Sequence, residues 1–123
     1  MAACAQYRAD VSAPPALKQW AMTPELAIAI VEACLLGPHS IPVRIRTRDE
    51  VTEAEIAELL AAVDFLIAHY RDQDTVPKRL AAAFVDIYNG FVQAGGQMSD
   101  EQAQRLEDVA IALQDKAYRL FGV

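Results

Sequence analysis

Apolar residues recur every three or four positions over most of this 123-residue chain, which is the spacing of amphipathic α-helices. The clearest stripe falls within residues 52–70. Thr52 precedes it and Glu55 lies three residues later, the pattern of a capping box. A helix is therefore predicted to begin at Thr52, with an apolar face made of Ile56, Leu59, Leu60, Val63, Leu66, Ile67 and Tyr70.

The same spacing predicts two helices in the second half of the chain. One begins near Val76 and continues to Ala94, with Leu80, Phe84, Ile87, Tyr88 and Phe91 on one side. Gly90 can bend or end this helix early, because glycine costs about 1 kcal/mol against alanine in a helix interior. The last helix opens at Ser99, and its apolar seam is Leu106, Val109, Leu113, Ala117 and Leu120.

The first main helix is predicted to begin at Thr23, which can cap it, with Pro24 in its first turn. Gly37 and Pro38 end it after Leu36. Its apolar residues point almost all round the axis, so neighbours should bury it on nearly every side. It is expected to be either the central helix or part of a subunit interface.

Residues 41–47 show a different period. Ile41, Val43 and Ile45 alternate with polar residues and a proline, which indicates a strand. On a strand Arg44, Arg46 and Arg48 would project from one face, as a comb of guanidinium groups suited to carboxylates or phosphates. The more ordinary alternative is a solvated edge whose arginines pair with nearby acids.

These patterns predict an all-α fold, a four-helix antiparallel bundle with a short extended segment at residues 41–47 between the first two main helices. Residues 1–15 are expected to be loosely ordered and residues 16–123 to form a single helical domain. A short turn of helix is expected at residues 16–21, anchored by Trp20.

Composition narrows the class of protein. No apolar run is long enough to span a bilayer, and the start shows no secretory pattern, so a cytoplasmic protein is expected. The formal charge of −6 makes nucleic acid an unlikely partner, because duplex binding requires neutralisation of phosphates. Cys4 and Cys34 belong to no paired-cysteine motif; a single disulfide stays open, although a cytoplasmic protein does not require one.

Candidate chemistry is sparse. Glu53, Glu55 and Glu58 gather where a helix begins, which helix-dipole matching explains, although a basic partner is an alternative. His39 and His69 are the two histidines; a Cys34–His39 pair is a weak candidate nucleophile and base, and His69 suits a helix C-terminus. No metal site, cofactor site or catalytic residue is predicted.

The leading hypothesis is a non-enzymatic interaction domain that self-associates as a homodimer and presents a partner surface near residues 39–58. Its predicted partner-binding residues are Arg44, Arg46 and Arg48. The alternative is a small ligand-binding domain or enzyme with a pocket between helices that uses His39, His69 or Tyr88.

Overall fold

The computed structural model describes residues 22–92 and 98–122, and over these residues every regular secondary-structure element is an α-helix. The all-α prediction is confirmed there, but the described chain forms six helices where four were predicted. They are α1 (Pro24–Leu35), α2 (Ile41–Thr47), α3 (Glu53–His69), α4 (Lys78–Ala83), α5 (Ile87–Val92) and α6 (Asp100–Leu120).

Helix α1 begins and ends close to the predicted residues. The Thr23 hydroxyl accepts a hydrogen bond from the backbone N–H of Leu26 at 3.1 Å, and Pro24 lies in the first turn. Leu36 follows the last helical residue and donates its N–H to the carbonyl oxygen of Glu32. Helices α2, α3 and α4 all pack on α1. The chain itself therefore covers most of this apolar helix, as the central-helix alternative requires.

The strand prediction for residues 41–47 is wrong, because this segment is helix α2. The Ser40 hydroxyl accepts a hydrogen bond from the N–H of Val43 at 3.4 Å, which caps the helix. Pro42 lies in the first turn, where its missing N–H costs no helical hydrogen bond. Ile41 and Ile45 are buried one turn apart, so the run that alternates along the sequence also fits one face of a helix.

The two long helices begin after the predicted capping residues, although at α3 only the Thr52 half of the capping box is present, because the Glu55 carboxylate pairs with Arg44. The Thr52 hydroxyl accepts a hydrogen bond from the N–H of Glu55 at the start of α3. Ser99 and Gln102 form a capping box at the start of α6, each side chain bonded to the backbone N–H of the other residue. Helix α3 packs on α1 and α6. The core between them contains most of the predicted stripe residues, including Ile56, Leu59, Val63, Leu66, Leu106, Val109, Leu113 and Leu120.

The helix predicted from Val76 is divided into α4 and α5 by turns at residues 84–86. The N–H groups of Phe84 and Val85 donate to carbonyl oxygens three residues earlier. This hydrogen-bond pattern is tighter than that of an α-helix, so it interrupts the helix. Gly90 does not end the helix. A Cβ at that position would lie 3.1 Å from two ring carbons of Pro42, so the glycine permits the close approach of α5 to α2.

Several predictions fall outside the described residues: the loose start at residues 1–15, the turn at residues 16–21 with Trp20, any disulfide through Cys4, and the end of the fourth predicted helix near Ala94. No helix in the described ranges is long and apolar enough to cross a membrane, in agreement with the sequence. The cytoplasmic location stays a prediction.

Candidate functional site

A cleft of about 640 Å³ opens where α2 ends and where α3 and α6 begin. The three helix ends and the loop at residues 48–52 form its walls. Its lining combines apolar residues with charged ones: Ile45, Arg48, Asp49, Glu50, Val51, Glu53, Ile56, Met98, Glu101, Gln102, Arg105 and Leu106. It is the larger of the two main cavities in the described part of the chain.

The apolar floor of the cleft is continuous with the hydrophobic core. Ile45, Ile56 and Leu106 are buried members of the core cluster. Val51 and Met98 are half-buried and pack against that cluster from the cleft side. An apolar group that enters the cleft would therefore contact side chains that cannot withdraw from it without disturbing the core.

The rim of the cleft is charged and predominantly acidic. Arg105 donates two hydrogen bonds to the carboxylate of Glu53. Its Nη2 lies 2.6 Å from one carboxylate oxygen, and its Nε lies 2.9 Å from the other. This hydrogen bond lowers the pKa of the Glu53 carboxyl and raises that of the Arg105 guanidinium. Both side chains are exposed, so the pair contributes little to stability.

Beneath the rim lies Arg44, which is 6% exposed and bonds in three directions. Its Nε donates to the carbonyl oxygen of His39 at 3.2 Å, and its Nη1 donates to the carbonyl oxygen of Glu50 at 2.8 Å. Its Nη2 forms a buried ion pair with the carboxylate of Glu55. We name this arrangement the Arg44 clamp. It ties the loop before α2, the loop after α2 and the first turn of α3 to one guanidinium.

The predicted arginine comb does not exist. Successive helical residues are rotated by about 100°, so side chains two positions apart point to different sides of α2. Arg44 faces the interior, whereas Arg46 is exposed on the helix. Arg48 is the C-terminal cap, with a left-handed φ of 61°, and lines the cleft. Of the three predicted partner-binding residues, only Arg46 and Arg48 lie at the surface; their contact with a partner stays a prediction.

The three glutamates at the start of α3 have separate surroundings. Glu53 lies on the rim of the cleft with Arg105, Glu55 belongs to the Arg44 clamp, and Glu58 is half-buried. They do not form one exposed acidic cluster. The chain's own arginines engage the first two, so the three do not offer one shared site for a basic partner, and helix-dipole matching stays a prediction.

The residues proposed for a pocket between helices are not brought together. The clamp holds the carbonyl group of His39 near Glu55, whereas His69 ends α3 fourteen residues later, or about 21 Å along the helix. The His69 ring packs against Phe65 and Tyr70. None of the described cavities is lined by either histidine.

Tyr88 and Cys34 also lie away from the cleft. The Tyr88 hydroxyl donates to a carboxylate oxygen of Glu107 at 2.7 Å, and this hydrogen bond raises the pKa of the tyrosine. Cys34 is fully buried in α1, whereas His39 is exposed, so the Cys34–His39 arrangement has no accessible sulfur.

A second cavity, of about 360 Å³, lies beside α5 and the start of α6. It is lined by Phe91, Val92, Met98, Asp100, Ala103, Gln104 and Glu107. Across the described ranges, no group of three or more histidine, cysteine, aspartate or glutamate side chains is placed to hold a metal ion.

Comparison with known proteins adds no assignment: no protein-family model, curated protein or solved structure matches the chain. The geometry of the described residues is therefore the basis for the proposals below.

Replacement of Arg44 by methionine should lower the free energy of unfolding by about 3–5 kcal/mol, because Glu55 would be left as a buried carboxylate without its cation. Urea unfolding followed by circular dichroism measures the loss. The double variant Arg44→Met with Glu55→Leu should recover part of it. A double variant that is less stable than Arg44→Met would contradict an energetic role for the pair.

The Glu53 carboxyl should titrate below its ordinary pKa, and Arg105→Gln should raise its pKa towards the ordinary value. A lowered folded-state pKa means that this favourable contact is present above the unfolded pKa and is lost as pH falls through the folded pKa. Side-chain NMR titration between pH 2 and pH 7 (roughly the carboxyl range) measures the midpoint. An unchanged midpoint in Arg105→Gln would rule out the arginine as the cause.

Proposed function

We propose that this chain is a non-enzymatic protein-interaction domain that holds a segment of a partner protein in the cleft between α2, α3 and α6. The observation that carries the proposal is the combination of an apolar floor with a charged, exposed rim. Protein interfaces have this anatomy, with an apolar centre and a polar periphery that remains in contact with water. Seven of its lining residues fall between Ile45 and Ile56, within the surface predicted to contact a partner.

The side chains that line the cleft favour binding over catalysis. Among the described residues, the lining includes no histidine, cysteine, serine, threonine, tyrosine or lysine. Hydroxyl, thiol and amine nucleophiles, and the side chain that titrates nearest neutral pH, are therefore missing from the described part of this lining. Its arginines and carboxylates include one mutually neutralised pair, Arg105 with Glu53. Such a surface is suited to recognition of apolar and charged groups.

Met98→Glu should abolish partner capture, because a carboxylate on the floor would meet the apolar groups that the cleft is proposed to hold. Immobilised full-length chain is incubated with native-cell lysate, and bound proteins are quantified by mass spectrometry. Val51→Glu is the second cleft variant, and circular dichroism checks folding.

Leu36→Glu is the matched control, because Leu36 is an exposed apolar residue at the end of α1 that does not line the cleft. The proposal requires a defined protein that wild type and Leu36→Glu retain and that both cleft variants lose. If folded cleft variants bind the same proteins in the same amounts as wild type, the cleft is not the partner site.

We also propose that the domain self-associates as a dimer, through the outer face of α6. Residues 41–47 are helical, so they offer no strand edge that could pair with a second copy of the chain. What supports association now is the exposure of Ile111 and Tyr118, which are 51% and 59% accessible. They are seven residues apart and so project from nearly the same side of the helix. A two-fold axis would let two such faces cover each other.

Light scattering at micromolar concentration should report a dimer, and Ile111→Glu with Tyr118→Glu should convert it to a monomer, since carboxylates would oppose each other across the axis. Leu36→Glu with Val85→Glu, which adds the same charge at two exposed apolar residues outside α6, tests whether added charge alone is sufficient. A wild-type mass equal to one chain would refute the dimer and leave the cleft proposal standing.

A further inference from the structure

The cleft carries an excess of negative charge at its rim. Among the described residues, four carboxylates and two guanidinium groups line it. Glu53 and Arg105 neutralise each other through their two-point contact. In the described lining, the carboxylates of Asp49, Glu50 and Glu101 then outnumber the remaining guanidinium, that of Arg48.

The backbone positions of these carboxylates are fixed. Arg44 holds the carbonyl group of Glu50, and the N–H of Asp49 donates to the carbonyl oxygen of Arg44 at 2.8 Å. Glu101 lies in the first turn of α6, whose start is held by the capping box. Charged groups on a rigid backbone lose little conformational freedom when a partner binds, so they contribute more to the binding affinity.

The apolar floor of the cleft adds a second requirement on the partner. Val51 and Met98 are half-buried and border the opening, and methionine adapts its shape to different apolar side chains. We infer that the cleft binds a lysine- or arginine-bearing peptide segment that also inserts an apolar side chain between the rim carboxylates. This inference rests on the proposed function and names the chemistry of the partner.

The net charge of the whole chain acts in the same direction. The chain carries 17 acidic and 11 basic side chains, so its formal charge is −6. An acidic or phosphate-bearing ligand would approach against this field, whereas a basic segment would be attracted towards the cleft. The attraction should weaken as added salt screens the exposed carboxylates.

Selection from a random peptide display library on the immobilised full-length chain tests the inference. Clones that also bind the Met98→Glu variant are discarded, so that the remaining peptides are those whose binding depends on the cleft. The remaining peptides should contain clearly more lysine and arginine than aspartate and glutamate, together with at least one large apolar residue. Their affinity, measured by fluorescence anisotropy, should fall as salt is raised.

Glu50→Lys with Glu101→Lys should weaken the selected peptides by about tenfold or more, since two attractive contacts become repulsive. Asp72→Lys with Asp74→Lys is the matched control. It changes the net charge by the same amount in the exposed loop between α3 and α4, away from the cleft, and should change affinity much less.

The outcomes separate this inference from the proposed function. Cleft-dependent peptides that are acidic or uncharged, or equal weakening by the rim and control variants, would overturn the basic partner and leave an interaction site. A selection that yields no peptide sensitive to Met98→Glu would count against both the basic partner and the cleft as an interaction site.

Discussion

The end of the molecule that contains the cleft depends on the burial of one cation. A guanidinium removed from water must have its donors satisfied, because an unpaired buried charge costs several kcal/mol. Each of the three guanidinium nitrogens of Arg44 donates to one acceptor: two backbone carbonyl groups and the carboxylate of Glu55, which come from three separate segments. The chain must bring all three segments to the same point, and this requirement fixes how the seven-residue helix α2 meets the start of α3.

The cleft follows from the same constraint. The loop at residues 48–52 is too short to have a core of its own, and only Val51 packs on the apolar cluster. Its backbone is held instead from below, at Asp49 and Glu50, by bonds to Arg44. Their carboxylates consequently remain at the surface while the backbone beneath them is fixed. An exposed rim on a fixed base is the arrangement that a preorganised binding site requires.

Sequence patterns predicted the start of a helix correctly where the helix is long and its N-terminal cap is a local interaction. Thr23, Thr52 and Ser99 identified the starts of α1, α3 and α6, because a cap acts within three residues. Residues 41–47 span less than two helical turns. The spacing of Ile41 and Ile45 therefore fits both the two-residue period of a strand and the helical period of about 3.6 residues. The site depends on contacts between distant residues: Arg44 with Glu55, 11 positions apart, and Arg105 with Glu53, 52 positions apart. No local pattern encodes such separations.

The two kinds of charge at this end of the molecule have different physical consequences. The ion pair of Arg44 and Glu55 is shielded from water, so its loss would disturb the fold and the cleft together. The rim carboxylates are exposed and screened, so their effect on stability is small. Their effect on an approaching ligand is larger, because several act on it together and binding removes water from between them. Under the proposed function, stability and recognition would therefore depend on different residues, although Arg44 holds the backbone beneath two of the rim carboxylates.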